Sequence, residues 1–199
     1  MLRLLVLFIL HLYCAQAQEP ALSAAPSTAA VPLPAGMAVV LTAEGSVQWA
    51  AADGHAWHTA TNSQFLQPGT RVRTGERSRA TIRLSDRAVF QIGELSEIQV
   101  PAETAEANAT RGLFYFFLRD KPKEFNVRTP SATAALRGTE FNLEVDGDGR
   151  TVLTMVDGEV ELANDKGALR LVDGEQGQAI PSRAPEKIPV INARNIIQW

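Results

Sequence analysis

From Met37 onward, apolar and polar residues alternate in short runs. No long stretch carries the period of about 3.6 residues that marks an amphipathic helix. The clearest run is Glu140 to Val145, with Phe141, Leu143 and Val145 on one face and Glu140, Asn142 and Glu144 on the other. That is the pattern of a half-buried strand. Ala38 to Leu41, Val47 to Trp49, the stretch through Val72, Ala80 to Leu84, Ala88 to Ile92 and Ile98 to Val100 read as strands too. Leu113 to Leu118, LFYFFL, is apolar on both faces, which predicts a short strand central in the core. Pro101 to Thr110 is small and polar and reads as a loop or one or two helical turns.

Turn signals separate these runs about every ten residues, as in all-β sandwiches, barrels and rolls. Asp146-Gly147-Asp148-Gly149 predicts a tight hairpin. Asp157-Gly158 predicts another, between Thr151–Val156 and Val160–Ala163, and Gly167 and Asp173-Gly174 close two further turns. Asp-Gly suits such turns because both central residues of a type I′ turn take positive φ. The expected fold class is therefore all-β: a single domain over 37–180, its short, mostly antiparallel strands stacked as a roll or solenoid-like double layer. Val72-Arg73-Thr74-Gly75 and Val127-Arg128-Thr129-Pro130 form a faint internal echo that fits stacked, similar layers.

The 199 residues are 45% hydrophobic, enough for one real core. A net charge of −3 supplies no basic field for nucleic acid or an anionic membrane surface. The first residues read as a signal peptide over 1–17: Arg3, an apolar run from Leu4 to Tyr13 too short to anchor, and an Ala15-Gln16-Ala17 cleavage site. A mature chain from Gln18 would be periplasmic, without a transmembrane anchor and without the only cysteine, Cys14. Lipidation of Cys14 is disfavoured, since His11 and Tyr13 stand where a lipobox needs leucine and a small residue. Residues 18–36 hold Pro20, Pro26, Pro32 and Pro34 among alanines and serines, and read as a flexible tether.

Candidate chemistry is thin. Asp53, His55 and His58 are too few for a metal site. Asp146, Asp148 and Gly149 lack the distal glutamate of a calcium loop and read as a plain turn. Glu94 and Glu97 read as a solvated face, and no nucleophile motif or phosphate-cradling loop is present. No catalytic residue, cofactor or metal is expected, and the chain reads as a non-enzyme. Trp49 and Trp57 are the candidate exposed aromatics.

Between Val127 and Val145 the chain reads VRTPSATAALRGTEFNLEV. Proline stops a strand at Thr129-Pro130, small residues follow, and Arg137-Gly138-Thr139 turns into the strand holding Phe141. The glycine supplies a backbone angle that other residues resist, and the arginine reads as a fork tying the turn to backbone carbonyls or to Glu140 ahead of a partner-facing guanidinium. With the hairpin TVLTMVDGEVEL after it, this stretch resembles the FecR family. The resemblance implies a periplasmic β domain that meets an envelope protein partner by protein–protein contact. Full sensors of that family place an anti-sigma segment and a membrane helix before the domain, and neither is expected here. Residues 181–199 resemble the lead into tetratricopeptide repeats of some larger family members, so the chain is expected to be a fragment or truncated relative. Two other readings stand beside partner binding: an envelope glycan binder stacking sugars on Trp49 and Trp57, and a structural spacer for helical repeats.

Overall fold

A strand turns successive side chains to opposite faces, so short amphipathic strands bury their apolar half only by pressing two sheet faces together. The computed structural model describes residues 33–34, 36–85, 88–102, 105–118, 125–136 and 138–190, all within one unit. The expected signal peptide, most of the tether, Arg137 and residues 191–199 lie outside the described residues.

The described residues form two sheets and no helix. β1 (Ala38–Glu44) lies in the first sheet, β2 (Val47–Ala50) and β3 (His58–Thr59) in the second. β4 (Phe65–Leu66) returns to the first, and β5 (Arg71–Thr74) to the second. β6 (Arg79–Leu84) and β7 (Val89–Ile92) are in the first, β8 (Glu97–Gln99) in the second. β9 (Glu106–Phe117) belongs to both. Thereafter the chain changes sheet every two strands. β10 (Phe125–Arg128) and β11 (Thr133–Leu136) pair in the second, β12 (Glu140–Val145) and β13 (Thr151–Asp157) in the first. β14 (Glu159–Asn164) and β15 (Gly167–Val172) return to the second, and β16 (Gln176–Ala179) and β17 (Glu186–Ile188) to the first.

The first sheet thus runs β4-β1-β6-β7-β9-β12-β13-β16-β17 and the second β3-β2-β5-β8-β9-β10-β11-β14-β15. Every pairing is antiparallel except β9 with β10. This is the all-β, mostly antiparallel double layer that the alternation predicts, and it is not a closed barrel. The inner faces share one apolar cluster, with Phe90, Phe116 and Phe141 from the first sheet and Val72, Val127 and Leu162 from the second. Phe116 lies 4.9 Å from Phe141, nearly parallel at 7°, and 5.6 Å from Phe90. The three are in register across β7, β9 and β12.

β9 passes between the sheets at Gly112, whose φ is +107°. Its first half pairs with β8 and β10, its second with β7 and β12, and its register with β8 slips between Arg111 and Ala109. A Cβ on Gly112 would collide with Ser96, whose hydroxyl accepts the Leu113 N–H at 3.0 Å. Glycine here satisfies both an angle and a space requirement.

Several local expectations change. The polar stretch ending at Thr110 is no loop throughout, because Glu106–Thr110 opens β9 with Ala107 and Ala109 buried. Small alanines mark the inward positions there, so the alternation is hidden from a search for large apolar groups. LFYFFL is the other half of that strand and is buried on one face only. Phe114 and Phe116 point inward, while Leu113 and Phe117 on the other face are 43% and 39% exposed. Asp146–Gly149 joins the paired β12 and β13, but Asp157-Gly158 and Asp173-Gly174 carry the chain from one sheet to the other. The first sheet also continues past Ile180, with β17 paired to β16.

Two glycine substitutions test the β9 bend. Gly112→Ala combines a positive φ with the Ser96 collision and should cost about 1–3 kcal/mol or more of folding stability. Gly174→Ala also stands at positive φ, +74°, but meets nothing within 4 Å and should cost clearly less. Urea unfolding midpoints check the order; equal losses would dismiss the bend as a special constraint.

Candidate functional site

The signature turn is built of buried hydroxyls. β10 ends at Arg128, and Thr129 turns the chain by accepting the Ala132 N–H at 3.1 Å and donating to the Ala132 carbonyl at 2.9 Å. Thr151 of β13 donates to the Thr129 hydroxyl at 2.7 Å, and the Ser131 hydroxyl lies 2.9 Å from Thr151 and 3.1 Å from the Ala179 carbonyl. The chain of hydroxyls ties the β10–β11 turn of the second sheet to β13 and β16 of the first. Pro130 is exposed beside Gly149. Gly138 takes φ +64°. Thr139 is fully buried, and its carbonyl accepts the Leu118 N–H at 3.0 Å. Phe141 fills the core stack, and neighbouring Glu140 accepts the Tyr115 hydroxyl. The signature residues therefore face turns and core rather than a cleft, and Arg137 lies outside the described residues.

Neither candidate tryptophan is exposed; both are half-buried. Trp49 pairs with Val72 in register and packs on the core, its ring 5.0 Å from that of His58. Trp57 lies against the guanidinium of Arg73 at 4.0 Å and that of Arg71 at 5.1 Å. Sequence reasoning missed the reason, because the pairing of β2 with β5 that brings the two tryptophan-bearing stretches to these arginines is a long-range fact. His55 is exposed, and among the described residues no group of three or more His, Cys, Asp or Glu could hold a metal. Asp146 spends one carboxylate oxygen on the N–H groups of Asp148 and Arg150, at 3.0 and 2.9 Å, as a turn residue does. Glu94 accepts the Arg77 N–H at 2.6 Å, and Glu97 pairs with Arg111 at 3.6 Å.

Two features were invisible in the sequence. A groove of about 750 Å³ crosses the first sheet, lined among others by Arg77, Leu113, Asn142, Glu144 and Thr154. The second is an open edge. Asp165-Lys166 turns β14 into β15, and Asn164 pairs with Gly167. That register directs the backbone groups of Ala168, Arg170 and Val172 away from β14. Val172 confirms the parity, since its N–H goes to the Glu175 carboxylate at 3.1 Å and its carbonyl to the Glu175 N–H at 3.0 Å. The hydrogen bond from Lys187, then that from the Val172 N–H, holds the Glu175 carboxyl below the usual carboxylate range. The outward groups of Ala168 and Arg170 have no such partner among the described residues.

The fold and turn define a two-layer β domain, without helix among the described residues. The model of the FecR protein family matches residues 70–161, from the start of β5 into β14. Two crystal structures of a candidate anti-sigma factor from Parabacteroides distasonis share the fold, with a TM-score of 0.52 and 22% identity. Each likeness covers 59% of this chain and 58% of that one, so the chain spans less than two thirds of that neighbour's length. Among curated proteins none matches. Among the described residues no helix is long and apolar enough to cross a membrane.

The hydroxyl chain gives a direct test. Thr129→Val keeps the shape but leaves the Ala132 N–H without its acceptor and the Thr151 hydroxyl with Ser131 alone, which should cost about 1–3 kcal/mol. Denaturant unfolding of the variant measures it; a neutral result would show the network is not needed to hold the turn.

Proposed function

We propose that this chain is a non-enzymatic, periplasmic partner-binding module of envelope signalling, exported by its signal peptide, and that it takes up an extended segment of another protein along β15. The open edge of β15 carries this reading. An unpaired strand edge offers main-chain donors and acceptors to an incoming strand, which then continues the sheet. β15 is also long enough to guide one: it has six residues, whereas the edge strands at the other end of the two sheets have two each. The FecR match supports a role in envelope signalling. The glycan alternative loses its platform, because Trp49 packs on the core and Trp57 covers two guanidiniums.

Crosslinking in the native periplasm, followed by mass spectrometry, tests the reading. Ala168→Pro removes an outward N–H without removing a ladder bond to β14, so the fold should survive. The expected outcome is one reproducible protein partner whose capture is lost in Ala168→Pro at an unchanged melting temperature. Capture that ignores the proline, or co-purification with glycan and no protein, overturns it.

A further inference from the structure

On the outer face of the second sheet Arg73 stands in one row with Glu97 and Arg111, and Arg71 in the next with Gln99, Asn108 and Arg128. Arg111 pairs with Glu97 at 3.6 Å and Arg128 with Glu106 at 3.7 Å. Among the described residues neither Arg71 nor Arg73 pairs with a carboxylate. Glu97 stands directly opposite Arg73 but is turned to Arg111, and Gln99, opposite Arg71, spends its amide on the Gly69 carbonyl. The two guanidiniums are nonetheless held. Arg71 Nη2 donates to the Gly54 carbonyl at 2.5 Å, Arg73 Nε donates to Gln48 Oε1 at 2.9 Å, and the Trp57 ring lies against both. Arg71 Nε is buried with no acceptor among the described residues.

An aromatic ring over a guanidinium removes water from its face and leaves for a planar, two-oxygen acceptor the edge N–H groups not already spent, the Nη groups of Arg73 and Nη1 of Arg71. A carboxylate fits that edge bidentately. The spacing narrows the ligand further. Arg71 and Arg73 sit two residues apart on one strand, about 6.6 Å along it, the same repeat as acidic residues at alternate positions of an extended chain. A sugar would want the ring face, and that face is turned to the arginines.

We propose that Arg71 and Arg73, oriented by Trp57, bind two alternate carboxylates of an extended acidic polypeptide segment. This rests on the reading of the chain as a protein-binding module but uses a different part of the molecule from β15. It makes the partner acidic at this contact even though this chain is itself net negative at −3.

Trp57 is a built-in reporter once Trp49 and Trp199 are changed to phenylalanine. The full chain is titrated with a short synthetic peptide alternating glutamate and threonine, with its glutamine counterpart, and with an oligogalacturonate. Expected is a Trp57 fluorescence change with the glutamate peptide, weakening as salt rises. Affinity should fall about tenfold or more in Arg71→Gln/Arg73→Gln. Arg73→Lys, which keeps the charge but loses the fork, should fall between, and circular dichroism should report the same fold for each. Ala168→Pro should bind the peptide normally, so failure here is read separately from failure at β15. Equal binding of the glutamine peptide, equal binding by the double variant, no peptide binding, or oligogalacturonate binding without peptide binding each overturns the proposal.

Discussion

The bend of β9 is the constraint on which both sheets depend. Without it the two sheets would share a core but no strand, and their registers would be set independently. Because one strand pairs with β8 and β10 before Gly112 and with β7 and β12 after it, the inward face of each sheet is fixed by the same twelve residues. A one-residue slip on either side would turn every side chain of that half over. Ser96 guards the point, with its hydroxyl on Leu113 and its own N–H taken by Thr74 Oγ1 at 3.1 Å. Thr74 in turn donates to the Gly93 carbonyl at 2.5 Å.

That last detail gives the internal echo a physical content. Thr74 ends β5, and Thr129 follows β10, both strands of the second sheet. Each threonine is buried and spends its hydroxyl on backbone where the chain leaves the strand. The repeated Val-Arg-Thr is thus a strand ending: valine inward, arginine outward, threonine spending its hydroxyl on backbone, of Gly93 in one copy and of Ala132 in the other. Alternation made the strands and the all-β class legible, because burial on one face writes itself into every second residue. It failed at Ala107 and Ala109, where the inward residues are too small to register as apolar, and at Leu113 and Phe117, where outward residues are too large to register as exposed. The Asp-Gly turns were legible as turns, but not as hairpins or crossovers. Strand order decides that, and strand order is written in no local pattern.

The candidate sites were less legible still. Trp57 was visible as an aromatic in a loop, but its arginines are fourteen and more residues away and reach it through the pairing of β2 with β5. The open edge depends on which strand ends the second sheet. The two ends of the double layer are managed differently. At one end β1 is covered by the segment before β4, with Val40 N–H on the Gln64 carbonyl at 2.9 Å, Ser63 N–H on the Val40 carbonyl at 2.8 Å and Ala43 N–H on Asn62 Oδ1 at 2.8 Å. At the other, Glu175 closes only the last position of β15. The FecR match runs from β5 into β14, so β15 and the Trp57 loop both fall outside it. The matched segment supplies the frame, and the two proposed contacts sit at its margins.

The geometry also constrains how those contacts could be used together. From β5 to β15 the second sheet passes β8, β9, β10, β11 and β14, and at about 4.8 Å per step this is about 29 Å. A strand added at β15 runs along that strand, while a segment reaching β5 from there must run across the sheet. One extended segment cannot do both without a turn, and about nine residues of extended chain are needed to cover the distance. The acidic segment and the edge-pairing segment are therefore separate stretches, joined in one partner by a linker or belonging to two. If joined, the second contact becomes intramolecular once the first is made, and its contribution depends on linker length rather than on new contacts. The arginine contact at Trp57 and the short open edge at β15 would then act as one recognition surface, tighter together than either alone.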